Sequence, residues 1–149
     1  MHLPSDPLAD HSATAPYSWT IRVYYEDTDA GGIVFYANYL KFFERARTEW
    51  LRTAGIGQLA LSEGEGVMFV VKSTTVDYHA PAKLDDELKL TVVVQWLGRA
   101  SVEFLQEAWR VTSTGSTLLA VGHIKVGCVN CKSFRPTAIP PHVLECIPQ

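Results

Sequence analysis

Residues 18–54, SWTIRVYYEDTDAGGIVFYANYLKFFERARTEWLRTA, change their hydrophobic period part-way along, and that change decides the fold. Over 18–26, Trp19, Ile21, Val23 and Tyr25 alternate with Thr20, Arg22, Tyr24 and Glu26, the pattern of a strand with one apolar face. The turn-rich string Asp27-Thr28-Asp29-Ala30-Gly31-Gly32 interrupts it. From about Tyr36 to Ala54, Tyr39, Phe43, Ala46, Trp50 and Ala54 recur at helical spacing, with Leu40 and Leu51 beside them. Lys41, Arg45, Thr48 and Arg52 take the opposite side, Arg45 and Glu49 stand at i,i+4, and Gly55 supplies a stop. Such a helix is about 27 Å long, enough to cross a sheet.

Four strand-like runs follow, at 67–79, 86–97, 100–112 and 117–129. In the second of these, Leu88, Leu90, Val92, Val94 and Trp96 share one face. The short breaks between runs predict an antiparallel meander of the last four strands. The glycines at 55, 57, 64 and 66 read as a loop after the helix, and the proline-bearing tail from Lys132 as a cover over a sheet edge. Residues 1–16 read as a disordered leader and 17–149 as a single α+β domain. One helix covers one face of the sheet. The other face keeps apolar side chains, which predicts a homo-oligomer.

Composition excludes several classes. The 149 residues carry 13 Lys and Arg against 16 Asp and Glu, a net charge of −3, so no basic field exists to hold nucleic acid. No apolar run reaches the 18 or more residues of a membrane span, and the N-terminal stretch lacks the basic and apolar regions of a signal peptide. Three cysteines, an odd count, argue against a disulfide scaffold and for a cytoplasmic protein.

Candidate chemistry narrows by elimination. There is no G-x-S-x-G, P-loop, G-x-G-x-x-G or H-E-x-x-H string. Cys128 and Cys131 form a C-x-x-C, but a strand running into a proline-rich tail offers no helix N-terminus to activate a thiol and no further metal ligands. His79 and His123 lie in strands with no nucleophile at readable spacing. Asp27 and Asp29 differ, because a flexible Gly-Gly separates them from a long helix. They can serve as caps. They can also place a carboxylate and the free N–H groups of the helix start around one external point, where an Asp could attack or activate water while the N–H groups hold a developing oxyanion.

The string from Arg22 through Tyr39, continued in Phe43–Arg52 and in Val76-Asp-Tyr-His-Ala-Pro-Ala-Lys-Leu-Asp-Asp, resembles the hotdog-fold acyl-CoA thioesterases. The likeness is to the 4-hydroxybenzoyl-CoA thioesterase family, and within it to the YbgC-like branch associated with the Tol-Pal system. It covers nearly the whole chain from about residue 18. It implies a five-stranded antiparallel sheet wrapped around one long helix, dimers or dimer-of-dimers tetramers, and sites at subunit interfaces. It implies an acyl-CoA substrate that brings its own coenzyme A, with no cofactor and no metal, and acyl carrier protein as a further candidate partner.

By the same resemblance Asp29 is the catalytic carboxylate, as nucleophile or as base for water, and the Tyr36 backbone N–H is the oxyanion donor. Gly32, Val34, Phe35 and Asn38 border the substrate, with Asn38 also fixing the passage from loop to helix. Lys132 and Arg135 are candidates for the coenzyme A phosphates, against the alternative of a solvated tail. Asp27 reads as structural. The Tol-Pal-associated branch commonly carries His where this chain has Tyr36, and the hydroxybenzoyl branch carries Tyr. The backbone donor survives that exchange, whereas the pocket wall changes, so the acyl group stays open between short-chain and aromatic. Two rivals remain: a non-catalytic hotdog that binds an acyl chain or acyl carrier protein, and a hotdog dehydratase. The dehydratase would need a His near the helix, and none lies between residues 12 and 78.

Overall fold

The computed structural model describes residues 16–148, so the leader expected over 1–16 lies, but for Pro16, outside the described residues. The elements run β1 (Tyr17–Arg22), α1 (Asn38–Thr53), α2 (Gln58–Glu65), β2 (Val67–Tyr78), β3 (Glu87–Leu97), β4 (Ser101–Thr112), β5 (Gly115–Asn130) and α3 (Pro141–Cys146). All five strands form one antiparallel sheet in the order β1-β3-β4-β5-β2. This is the sheet-around-a-helix architecture that the resemblance implies.

α1 buries Tyr39, Phe42, Phe43, Ala46, Trp50 and Leu51 against the inner sheet face. It starts two residues later than its periodicity suggests and ends at Thr53, leaving Ala54 exposed as the C-cap. Gly55 then turns with φ 81°. Glu49 pairs with Arg52 at 2.6 Å rather than with Arg45. Gly122 on β5 lets the helix approach closely, since a Cβ there would meet the Phe43 ring at 2.9 Å.

Five sequence expectations need correction. The first strand ends at Arg22 rather than Glu26, and of its expected apolar face Trp19 and Tyr25 are exposed, Tyr25 standing in a 3-10 turn beyond the strand. Only β3-β4-β5 form a meander. β2 crosses to the far edge and pairs with β5, Val67 opposite Asn130 and Tyr78 opposite Ala120. The crossover, residues 79–86, passes the start of α1, a placement that connection length alone does not encode. Trp96 leaves the inner face, because an irregularity between Val94 and Trp96 sets it opposite the outward Glu103, half exposed. The stretch between the glycines holds α2, a short helix with one buried residue, Leu61, too little to show a period. The tail is part of the core, since Ile139, Val143 and Ile147 are all buried in it.

One buried polar group organises the interior. Gln106 on β4 is fully buried, and its Nε2 donates to the carbonyls of Phe43 (3.0 Å) and Thr91 (3.3 Å). Its Oε1 accepts from Arg47 Nη1 at 2.9 Å, while burial holds the guanidinium below its ordinary pKa against the opposing pull of Glu44. Gln106→Leu keeps the volume but strips a desolvated cation of its acceptor. Urea unfolding should show a loss of about 2–3 kcal/mol. A change below about 0.5 kcal/mol would show that Arg47 finds another acceptor.

Candidate active site

Asp27 and Asp29 stand two residues apart with different partners. The Asp27 Oδ2 accepts the Tyr24 N–H at 2.9 Å, capping the 3-10 turn Tyr25–Asp27. Its carbonyl accepts the Phe35 N–H at 3.0 Å and the Asn38 side-chain amide at 2.8 Å. These bonds close a small hairpin in which Thr28 pairs with Val34 and the Asp29 N–H donates to Ile33 at 2.9 Å. At its tip the Gly32 N–H returns to the Asp29 carbonyl at 3.0 Å, with Gly32 at φ 79°, a conformation that favours glycine. The Asp29 Oδ1 accepts the Gly31 N–H at 2.8 Å, an Asx turn that fixes the carboxylate. Its Oδ2 has no partner among the described residues, and the side chain is exposed. One carboxylate is used by the fold; the other is held by one oxygen and offered by the other.

The hairpin is tied to the crossover. Ile33 bridges Lys83, and the buried Val34 donates its N–H to the Ala82 carbonyl at 2.8 Å. The Ala82 N–H in turn bonds the Tyr39 hydroxyl, which burial pushes above the usual phenol range. Hairpin, crossover and first turn of α1 are thus fixed to one another through Ala82.

α1 starts without a side-chain cap. Ala37 occupies the N-cap at φ −69°, ψ −18°, where Ser, Thr, Asp or Asn would ordinarily bond the first amides. The first turn is tight, with Asn38 N–H on Phe35 (2.9 Å), Tyr39 on Tyr36 (3.4 Å) and Leu40 on Ala37 (3.1 Å). The N–H groups of Tyr36 and Ala37 are left with no acceptor among the described residues. Two consecutive free donors at the positive end of a helix suit a developing oxyanion. Asp29 lies about 7 Å along the hairpin from the Asp27–Phe35 closure that precedes them.

Residues 31–117 match the family model of the thioesterase superfamily. The chain belongs to the thioesterase superfamily. It is a thioester hydrolase by that membership, and the matched residues take in Tyr36 while starting two positions after Asp29. The acyl-CoA thioester hydrolase YbgC of Escherichia coli O6:H1 is 43% identical over 131 residues, covering 88% of this chain and 95% of that protein. The acyl-CoA thioesterase YbgC of Haemophilus influenzae is 45% identical over 127 residues, covering 85% and 90%. A probable thioesterase from Bartonella henselae, 30% identical, superposes with a TM-score of 0.78 over 85% of this chain and 100% of that one. A 4-hydroxybenzoyl-CoA thioesterase crystallised with 4-hydroxybenzoyl-CoA superposes with a TM-score of 0.81 at 20% identity, covering 89% and 98%, a likeness of fold.

In this thioesterase one loop gathers Asp29, Gly32, Val34, Phe35, Tyr36 and Asn38. Val34 is an anchor buried at 4% exposure, and Asn38 bonds the Asp27 carbonyl, so both hold the loop rather than face outward. Phe35 and Tyr36 are exposed, their rings 4.9 Å apart. Lys132 and Arg135 are not brought to this loop. They follow the Asn130 end of β5, which pairs with Val67, whereas Tyr36 lies at the Tyr78 end. Twelve residues of β2 separate the two ends by about 36 Å. The sequence carries no register, so it could not show this.

Beside Tyr36 lies an open recess of about 280 Å³, walled by Ile33, Val34, Tyr36, Tyr39, Tyr78 and Pro81 among others. A separate cavity of about 120 Å³ lies between α1 and the sheet, bounded by Arg47, Trp50, Phe69 and Phe104, further along the helix from the loop. Tyr78 escaped the sequence reading, because a single aromatic at a strand end has no spacing that sets it apart from packing.

Proposed function

We propose that this thioesterase hydrolyses acyl-CoA, with the Asp29 carboxylate and the Tyr36 N–H as its reacting groups. The observation that carries the reading is the contrast at the loop: a carboxylate with one oxygen free, beside a helix start whose first donors are unpaired. In the base route Asp29 takes a proton from water, and the hydroxide adds to the thioester carbon. The carbonyl oxygen becomes an oxyanion facing the Tyr36 N–H, and collapse expels coenzyme A thiolate, which recovers the proton. In the nucleophilic route an Asp29 oxygen adds instead and the C–S bond breaks, expelling coenzyme A thiolate and leaving an acyl-aspartyl anhydride. Water then hydrolyses the anhydride to the free acid and the Asp29 carboxylate, and the thiolate takes up the proton released. Neither route needs a metal or a resident cofactor, since thiolate is a good leaving group. The YbgC relatives, named as acyl-CoA thioester hydrolases, support acyl-CoA as the substrate class.

The aromatic walls and modest size of the recess favour a short-chain or aromatic acyl group. Free-thiol release from acetyl-, benzoyl- and palmitoyl-CoA tests both points. Turnover of the first two above the third supports the assignment. Preference for palmitoyl-CoA overturns the acyl choice, and no turnover at all overturns the function.

A second copy completes the picture. β2 is a twelve-residue edge strand with Val71 half exposed, and an unpaired edge of that length calls for a partner. Antiparallel pairing of β2 with β2 joins the sheets into a homodimer, and stacking of two dimers gives a tetramer. Pairing about the middle of β2 also sets the Val67 end of one copy beside the Tyr78 end of the other. Lys132 and Arg135 of one subunit then approach the loop of its neighbour, where they meet coenzyme A phosphates. Replacing both by Ala should raise KM for acyl-CoA about tenfold and leave kcat within about twofold, as loss of uniform binding does. An unchanged KM removes them from the substrate path, and a monomer by sedimentation removes the dimer. Three free thiols, Cys128, Cys131 and Cys146, accord with a reducing compartment such as the cytoplasm.

A further inference from the structure

The Tyr78 hydroxyl donates to the Tyr36 carbonyl at 2.9 Å, a side-chain bond that reaches from the sheet to the uncapped start of α1. The ring is held in edge contact with Tyr36 (6.2 Å) and Tyr39 (5.4 Å), and Tyr39 is buried and bonded to Ala82. The carbonyl it grips belongs to the peptide that carries the Ala37 N–H. In a planar trans peptide the two point in opposite directions, so fixing one aims the other. The remaining bond to that carbonyl, from the Tyr39 N–H, is long at 3.4 Å. We infer that Tyr78 is a positioning residue of the oxyanion site, its hydroxyl locking the Tyr36–Ala37 peptide so that the Ala37 N–H stands as a second donor beside that of Tyr36. This rests on the assignment of Asp29 and Tyr36 made above.

The hydroxyl acts by holding, not by giving up its proton. Burial, with Tyr36 nearby, raises Tyr78 above the usual phenol range, so it remains a donor at neutral and mildly alkaline pH. Donors preset toward a charge that appears only in the transition state change kcat and leave ground-state binding alone.

The test is steady-state hydrolysis of benzoyl-CoA by the full chain, as wild type, Tyr78→Phe and Asp29→Asn. Tyr78→Phe keeps the ring and should lower kcat about tenfold, with KM within twofold and the pH–rate profile unmoved. A wild-type kcat in Tyr78→Phe overturns the inference while leaving the Asp29 assignment standing. Loss of kcat together with a raised KM and a lowered Tm assigns Tyr78 to packing and also overturns it. A shifted pH profile would make Tyr78 a proton donor and overturn the holding role. If Asp29→Asn hydrolyses as well as wild type, the site assignment itself fails and the inference falls with it.

Discussion

Asp29→Asn should lower kcat by about 10²–10⁴-fold while leaving the fold intact. The amide can still accept the Gly31 N–H through its oxygen, so the Asx turn that places the side chain survives. It is lost as a base for water and as a nucleophile toward the thioester carbon. Because the side chain is exposed and carries one local bond, thermal unfolding should move by no more than a degree or two. KM should hold, since the carboxylate is not called on to bind the substrate. A variant that retains more than a tenth of wild-type kcat would return Asp29 to the role of a loop residue.

Tyr36→Pro should lower kcat by about 10²–10³-fold, the usual cost of one oxyanion donor, while Tyr36→Ala costs far less. Proline removes the N–H and nothing else of the backbone. Position 36 follows the first residue of the turn that the Asn38 N–H closes on the Phe35 carbonyl at 2.9 Å, a place that suits a proline ring. The Tyr36 N–H has no acceptor among the described residues, so no structural bond is lost with it. The Ala variant removes the ring from the recess wall and keeps the donor, which separates the two contributions of the residue. Equal losses in Pro and Ala variants would place the effect in the ring, and the backbone donor would drop out of the mechanism.

The helix after the loop was legible because it buries one face, and burial writes a period into the sequence, whereas the strand before it ends at Arg22 and leaves Trp19 exposed. Tyr39, Phe43, Ala46 and Trp50 are visible for that reason and are buried as read, while Leu40 beside them is exposed. The crossover of β2 was not legible. Residues 79–86 are short enough for a hairpin, and only the packing of Val34 and Tyr39 on Ala82 shows where they go. Trp96 was misplaced because one extra residue reverses which face a strand presents. α2 and α3 are too short to repeat anything.

The loop was legible as a place where chemistry is possible, and the resemblance put Asp29 ahead of Asp27. The hydrogen bonds show the physical difference: the Asp27 carboxylate caps the turn at Tyr24, and that of Asp29 keeps an oxygen free. Lys132 and Arg135 read as phosphate ligands by charge alone, and charge says nothing of which end of a strand a residue occupies.

The most direct measurement sets Asp29→Asn and Asp27→Asn side by side, by initial rate of thiol release from benzoyl-CoA and by thermal unfolding. The loop geometry predicts that Asp29→Asn loses turnover at unchanged Tm. Asp27→Asn, which keeps an acceptor for the Tyr24 N–H and stands outside the chemistry, should keep most of its rate. Equal rates in the two variants, or a greater loss at Asp27, would contradict the assignment of Asp29 as the reacting carboxylate.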